Sequence, residues 1–317
     1  MTISYLRKIV ESYRSYRSYR EDLKFCKNSN IKIFNFWPIQ EPESLWFHQF
    51  IIQRSILKKG DTVSIYSVFG DRFKMKLDIF RPKIFFTGEN YRTLYSDHCL
   101  KSVKLSLGSE YVDAGNYLRF PLWYLYFIKP NFKYDDVKNW VLKVTEYNKT
   151  FQNQRKRFCS LVASHDPMGF REELFNILSL NYRVDSGGDF LKNTDDLHGL
   201  CNNDKELFLK NYRFNICFEN SNKNGYVTEK IFEAIVAGSI PIYWGSGLKP
   251  EPDILNQTRI LFYNPTNENT LQNQIEWLES NPNHYREFYT QDVFMPFASE
   301  IIYEKLEQLH KKIKEII

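Results

Sequence analysis

Residues 211–246, NYRFNICFENSNKNGYVTEKIFEAIVAGSIPIYWGS, decide the fold. The apolar run at 214–218 suits a strand buried on both faces, as in a parallel sheet. It ends on Glu219 and Asn220, and a flexible polar loop is expected over 221–225. Thr228, Glu229 and Lys230 then open a short helix, Gly238 closes it, and a second apolar run begins at Ile240. The unit reads strand, loop, helix, strand. Its polar residues gather at the strand's carboxyl end and the helix's amino end, the edge at which open α/β sheets bind ligands. Unpaired N–H groups and a partial positive charge at a helix amino terminus favour an anion. Lys230 adds a full charge at the same place, and a phosphate held beside hydroxyl-bearing groups fits the arrangement.

The wording of this stretch, F-N-x-C-F-E-N-S, then G-Y-V-T-E-K-I, then I-P-I-Y-W-G, resembles the donor-binding signature of the α1,3/α1,4-fucosyltransferases, the bacterial Helicobacter-type members among them. Upstream, Val184-Asp185-Ser186-Gly187-Gly188 resembles the family's V-D-S-G-G turn. Arg171, within Gly169-Phe170-Arg171-Glu172, falls where the family carries a donor-phosphate arginine, and Thr87-Gly88-Glu89-Asn90 resembles the T-G-E-N turn of the bacterial members. The likeness runs over residues 31–247 and thins at both ends. It implies an α/β fold of GT-B type, with two Rossmann-like domains and a cleft between them. Residues 1–154 would bind the acceptor, residues 155–298 would bind GDP-fucose, and 299–317 would form a carboxyl-terminal helix. The implied reaction is an inverting transfer of L-fucose from GDP-β-L-fucose to a GlcNAc hydroxyl of a Galβ1-4GlcNAc-type glycan, giving a Lewis x-like product. The Helicobacter members carry a heptad-repeat tail and a basic carboxyl-terminal anchor. This chain departs from that pattern by ending on one amphipathic helix.

Inversion by direct displacement needs a base for the acceptor's proton and neutralisation of the charge that grows on the departing diphosphate. Glu89, just past an expected strand at 83–86, is the candidate base, because a carboxylate serves if it reaches the hydroxyl with a suitable pKa. Glu43, in Pro42-Glu43-Ser44, is the runner-up, and an ordinary solvated loop carboxylate is the bland alternative for both. Arg171 and Lys230 are the candidates for leaving-group stabilisation, Arg as a bidentate fork and Lys as a point charge. By resemblance Asn220, Tyr226 and Glu229 also line the donor site. Gly187 and Gly188 permit a close backbone approach or simply a tight turn. Thr228 has a second reading as a helix cap. Ile231, Ala234 and Ile235 form the helix's core face. No Asp-x-Asp occurs, and the six histidines show no metal-ligand spacing. No cofactor is therefore expected to be obligatory, with divalent stimulation left open.

The rest of the chain bounds this reading. With 317 residues, two ordinary domains fit. Aromatics reach 17%, which suits sugar-binding clefts and equally an A/T-rich genome. The net charge of +5 accommodates a nucleotide ligand but is too small to argue for nucleic acid. Five scattered cysteines without a C-x-x-C pair point to a reducing compartment rather than a disulfide framework. No apolar run reaches the length of about eighteen residues needed to span a membrane, and the amino terminus lacks a secretory pattern. A bacterial, cytoplasmic protein is expected.

Residues 1–24 read as an amphipathic helix with Leu6, Ile9, Tyr13 and Tyr16 on one face. Three Ser-Tyr-Arg copies place Arg14, Arg17 and Arg20 three apart. Such a helix suits peripheral contact with an anionic inner-membrane surface or a plain solvated face. Strands are expected at 31–36, 62–67, 83–86, 158–163 and 259–263. Helices are expected at 169–180 (Phe170, Leu174 and Ile177 inward), 204–211, 271–278 and 282–289. A last helix from residue 299 carries the stripe Ile302, Leu306, Leu309, Ile313 and Ile316. The run at 116–126 reads as core, and the polar, basic stretch 148–157 as the interdomain linker. Loops 38–44 and 70–74 are where acceptor selectivity is expected. The competing functions are an α1,4 linkage, transfer from another GDP-sugar, a non-catalytic glycan binder, and nucleic-acid binding through the Ser-Tyr-Arg repeat.

Overall fold

The computed structural model describes residues 3–89, 98–150 and 155–317. Asn90 of the T-G-E-N turn, residues 151–154 of the expected linker, and the side chains of Leu6 and Ile9 lie outside the described residues. Two compact units emerge, Met1–Phe132 with Glu304–Ile317, and Lys133–Tyr303. The sequence reading drew its boundary after residue 154. The helix preceding that point instead joins the second unit, because buried Asn148 donates to Ile235 O at 2.9 Å. A polar residue read as linker is in fact an internal tie.

The first unit contains α1 (Ile3–Phe25), β1 (Ile31–Phe34), α2 (Trp46–Gln53), β2 (Val63–Tyr66), α3 (Phe73–Leu77), β3 (Lys83–Thr87), β4 (Leu105–Gly108), β5 (Tyr117–Arg119) and α4 (Trp123–Phe127). Among the described residues its sheet runs β1-β2-β3-β4-β5, every pair parallel. The strands are short and largely buried, which is why most read as mainly apolar runs, although Lys32 and Ser64 punctuate β1 and β2. In β4, Ser106 and Gly108 interrupt the pattern and hide the strand from a periodicity search, yet all four residues are buried and Ser106 Oγ satisfies itself on His98 O at 2.6 Å. The run at 116–126 is core at its centre, where Phe120, Leu122, Trp123 and Tyr124 are buried, but Tyr126 at its end is exposed.

Helix α1 forms, but with a different face inward. Ser15 and Tyr19 are buried, as is Cys26 just past the helix, while Tyr13 and Tyr16 are exposed. Tyr19 stacks on Phe34 (5.3 Å), which stacks on Tyr66 (4.6 Å), and Lys74 Nζ meets Asp22 Oδ2 at 2.6 Å. These tertiary partners set the helix's rotation. Arg14, Arg17 and Arg20 remain on the exposed side.

The second unit contains α5 (Tyr134–Thr150), β6 (Arg157–Leu161), α6 (Phe170–Ser179), β7 (Val184–Ser186), α7 (Lys205–Leu209), β8 (Tyr212–Phe218), α8 (Glu229–Val236), β9 (Ile240–Trp244), β10 (Leu261–Phe262), α9 (Glu268–Ser280) and α10 (Pro282–Tyr289). Its sheet order is β10-β9-β8-β6-β7. The chain winds outward from β6 to β7, then reverses and winds from β8 to β10. This is a doubly wound order, and the reversal leaves a switch point between β6 and β8. Helix α6 turns Leu174 inward and packs Phe170 on the core as expected, but buries Arg171 and Leu178 where Ile177 was expected; the partners of Arg171 are described below.

The chain closes with α11 (Ala298–Ile316). Ile302, Leu306, Leu309 and Ile313 are fully buried, and Ile316 is half-buried. Within the first unit, Arg54 Nη1 pairs with Glu307 Oε1 at 2.7 Å and Lys312 Nζ donates to Gly115 O at 2.9 Å. All five cysteines are buried with free thiols. Among the described residues no helix is long and apolar enough to cross a membrane. Replacing Leu309 by Ala removes a fully buried side chain and is expected to cost about 2–5 kcal/mol, read as a lower denaturant midpoint in urea unfolding.

Candidate functional site

The β6–β8 switch point is occupied by Arg171. Its guanidinium is buried and reaches three acceptors: His165 O on the loop after β6, Phe218 O at the end of β8 (2.5 Å), and Asn220 Oδ1 just beyond it (3.0 Å). One side chain thus ties together the carboxyl ends of the two strands between which the sheet reverses. Asp166 fixes the helix that carries it, accepting from Gly169 N (3.1 Å) and Glu172 N (2.9 Å). Burial pulls the Arg171 pKa down from its ordinary value, and Asp166 and Glu219 work against that fall. All three hydrogen-bond acceptors are neutral oxygens, and Asp166, Glu219 and Glu229 act on the charge electrostatically.

The second element of the site is the amino end of α8, which is organised by Glu219. This carboxylate is buried at the end of β8. It accepts from Thr228 N (2.8 Å) and Thr228 Oγ1 (2.6 Å). Lys230 Nζ lies 3.5 Å from Glu219 Oε2, 2.8 Å from Thr228 Oγ1 and 3.3 Å from Glu229 Oε1. Thr228 occupies the N-cap position but makes no side-chain cap; its hydroxyl is spent on Glu219 instead. Gly245 stands against Glu219, where an added Cβ would lie 2.7 Å from its Cγ. The first strand-end residue after β9 is therefore small for a steric reason.

The two carboxylates are tuned apart. Burial raises the Glu219 pKa, with Lys230 and Thr228 opposing. Burial also works against the charged form of Glu229, but Lys230 and Lys205 outweigh it and hold the group below the usual carboxylate range. Lys230 thus sits between two acids, and much of its charge is met locally.

Tyr226 is buried behind the α8 start. The loop expected to be flexible is tied: Gly225 N donates to Ser246 Oγ (3.1 Å) and Gly247 N to Asn222 Oδ1 (2.6 Å). Gly187 and Gly188 are turned toward their own unit. A Cβ at Gly187 would meet Phe208 and Leu197, and one at Gly188 would lie 2.3 Å from Ala163 O. The V-D-S-G-G turn therefore lets β7 and β6 approach each other.

The structure gathers Arg171, Asn220, Tyr226, Glu229 and Lys230 on one sheet edge in the second unit. Glu89 belongs to the first unit, half-buried two residues past β3. Glu43 is exposed in a short 3-10 turn after β1. Glu219 was visible in the sequence as a strand-end acid, but its organising part was not assigned. A carboxylate ending an otherwise apolar buried strand was the available signal.

Two parallel α/β units, one doubly wound with a cationic switch point, define the GT-B class of glycosyltransferase. The sequence profile described as "Glycosyltransferase family 10 (fucosyltransferase) C-term" matches residues 151–306, and that described as "Alpha-(1,3)-fucosyltransferase FucT N-terminal domain" matches residues 31–126. The chain belongs to this fucosyltransferase family. It is 41% identical over 92 residues to the α-(1,3)-fucosyltransferase FucT of Helicobacter pylori, covering 29% of this chain and 18% of that protein. It is 29% identical over 131 residues to α-(1,3)-fucosyltransferase B of Drosophila melanogaster, covering 39% and 30%. The matches thus span less than a third of these relatives' own length. The crystal structure of an α1,3-fucosyltransferase with GDP-fucose superposes with a TM-score of 0.58 at 20% identity, over 89% of this chain and 90% of that one.

The tuning of Glu219 gives a pH prediction. Its pKa is raised on folding, so the folded state binds the proton more tightly. The associated stability is complete below the ordinary carboxylate range and is lost as pH rises through the raised value. Glutamine mimics the protonated form. As pH rises above the ordinary carboxylate range of about pH 4, the wild type is expected to lose stability relative to Glu219→Gln, measured as denaturation midpoints across a pH series. Parallel curves for the two proteins would contradict the assignment.

Proposed function

We propose that this chain transfers L-fucose from GDP-β-L-fucose to the 3-hydroxyl of GlcNAc in an N-acetyllactosamine-type glycan, with inversion to an α linkage. The observation that carries the reading is Arg171 at the β6–β8 switch point, its guanidinium hydrogen-bonded to three neutral oxygens. A diphosphate placed there meets a preorganised cation where negative charge grows as the sugar departs. Asn220 keeps the guanidinium oriented through the 3.0 Å bond to its Oδ1. Lys230, shared with Glu219 and Glu229, contributes less charge than Arg171 and acts chiefly by holding the start of α8. Glu229, kept ionised, is suited to accept hydrogen bonds from ribose or fucose hydroxyls. Glu89 takes the acceptor's proton as the new glycosidic bond forms. The cationic side chains supply the neutralisation that a metal supplies elsewhere, so the transfer runs without one. The buried free thiols support a reducing compartment.

The test is fucose transfer to Galβ1-4GlcNAc in the presence of EDTA, with the product's linkage and anomeric configuration read by NMR. Glu89→Ala is expected to reduce the rate by about 10²–10⁴-fold with GDP-fucose affinity unchanged. An unaffected rate removes Glu89 as base. A wild-type protein that neither binds GDP-fucose nor transfers fucose overturns the reading.

Arg171 separates structure from charge. Arg171→Lys keeps a cation but cannot span the three acceptors. GDP affinity by calorimetry is expected to fall by at least about tenfold, since a charged hydrogen bond contributes roughly 1.5–3 kcal/mol. Lys230→Ala is expected to cost less than Arg171→Lys, and the reverse order would reassign the phosphate contact.

A further inference from the structure

The turn between α3 and β3 reads Asp78-Ile79-Phe80-Arg81-Pro82. Ile79 is 72% exposed and Phe80 89%. Apolar side chains scattered singly over a surface need no explanation. These two are adjacent, and the turn that carries them is fixed on both sides. Buried Asp78 accepts from Tyr66 Oη at 2.9 Å and pairs with Arg81 Nη2 at 2.8 Å. Arg81 also donates to Ser64 Oγ (2.8 Å) and to Tyr19 Oη (2.7 Å). Lys83 Nζ donates to Asp78 O at 2.6 Å. The residues flanking the pair are thus drawn inward by hydrogen bonds, and Ile79 and Phe80 are presented outward.

The surroundings of the turn are cationic. A cavity of about 610 Å³ opens beside it, and Ile79 lines that cavity together with Arg72, Lys76, Lys83 and Ser102. Among the described residues that line it there are three cations and no acid. Lys76 is exposed, with its Nζ 5.9 Å from the centre of the Phe73 ring. On the α1 side, Tyr19, which holds Arg81, is followed by exposed Arg20. The turn's own carboxylate, Asp78, faces inward and is met by Arg81. The turn also enters β3 at its amino end, whereas Glu89 follows the carboxyl end. Five strand residues at about 3.3 Å each put these two edges roughly 16 Å apart. A flat partner that meets Ile79 and Phe80 therefore leaves the carboxyl ends of the strands clear.

Two apolar side chains are too little for a stable protein interface, which takes about 800 Å² from each partner. They are enough to enter the boundary between lipid headgroups and acyl chains. An apolar insertion and a cationic patch together supply the two signals that stable attachment to a bilayer requires. Cations at headgroup level attract anionic lipid, and salt screens that attraction within a Debye length. We propose that the 78–82 turn is a docking site for a bilayer containing anionic phospholipid, with Ile79 and Phe80 inserted and Lys76 and the cavity's other cations at the phosphates. This is a different surface from the arginine face of residues 1–24, where Arg14 lies with Asn35 and Gly70 at the carboxyl ends of β1 and β2. The proposal stands independently of the fucosyl-transfer reading.

The test is co-sedimentation of the full chain with phosphatidylcholine vesicles, with and without phosphatidylglycerol, for the wild type and the Phe80→Ser, Lys76→Gln and Arg14→Gln variants. All three positions are exposed, and urea midpoints report an intact fold. The wild type is expected to bind the phosphatidylglycerol vesicles, and to bind them less as salt rises. Phe80→Ser is expected to weaken binding at least about tenfold. Lys76→Gln is expected to weaken it about fivefold, the share of one cation near an anionic surface. Arg14→Gln, the same loss of charge at the other strand edge, is expected to change little. Phe80→Trp is expected to add quenching by brominated lipid over that of the wild type, as an inserted side chain must. A wild type that stays in the supernatant overturns the proposal, as do Phe80→Ser and Lys76→Gln variants that bind like the wild type. An equal loss in Arg14→Gln marks a diffuse charge effect and overturns it too. Inorganic phosphate bound in calorimetry by a chain that ignores vesicles assigns the cavity to a soluble anion and removes the bilayer.

Discussion

The second unit is organised by a single buried cation at the place where its sheet changes direction. A doubly wound sheet opens a crevice between the strands that diverge, and the carboxyl ends of β6 and β8 have unpaired carbonyls there. Arg171 fills that gap. Its bonds to His165 O, Phe218 O and Asn220 Oδ1 satisfy acceptors that the sheet itself cannot. Burying an arginine is unfavourable unless every bond is good.

Around that cation the acids are graded. Glu219 is buried and pushed toward its neutral form, and it fixes Thr228 and Lys230 at the start of α8. Glu229, one residue from Lys230, is held ionised. One acid is thus pushed toward its neutral form and its neighbour toward its charged form, with Lys230 between them.

The first unit depends on a different constraint. Its sheet never reverses order, so no switch point organises it. Helix α1 is instead locked onto it by the stack Tyr19–Phe34–Tyr66 and by Lys74 on Asp22.

Much of this was legible in the amino-acid sequence. Buried parallel strands read as apolar runs, so β1, β2, β3, β6, β8 and β9 were located within a residue or two. The polar residues between β8 and α8 named the site because their order along the chain is their order along one sheet edge. What sequence did not determine was rotation and partnership. The inward face of α1 is set by aromatic stacking and a salt bridge with residues far along the chain, and Tyr13 and Tyr16, placed inward by periodicity, lie outside. Helix α6 buries Arg171 because its guanidinium reaches carbonyls of His165 and Phe218 that no local pattern displays. β4 was hidden by Ser106, whose hydroxyl finds its partner only in the folded chain. Local pattern fixes which elements form, since it reflects propensity and burial along the segment. Tertiary structure alone decides which face is buried and which charge is neutralised, because those depend on groups that only folding brings within hydrogen-bond distance.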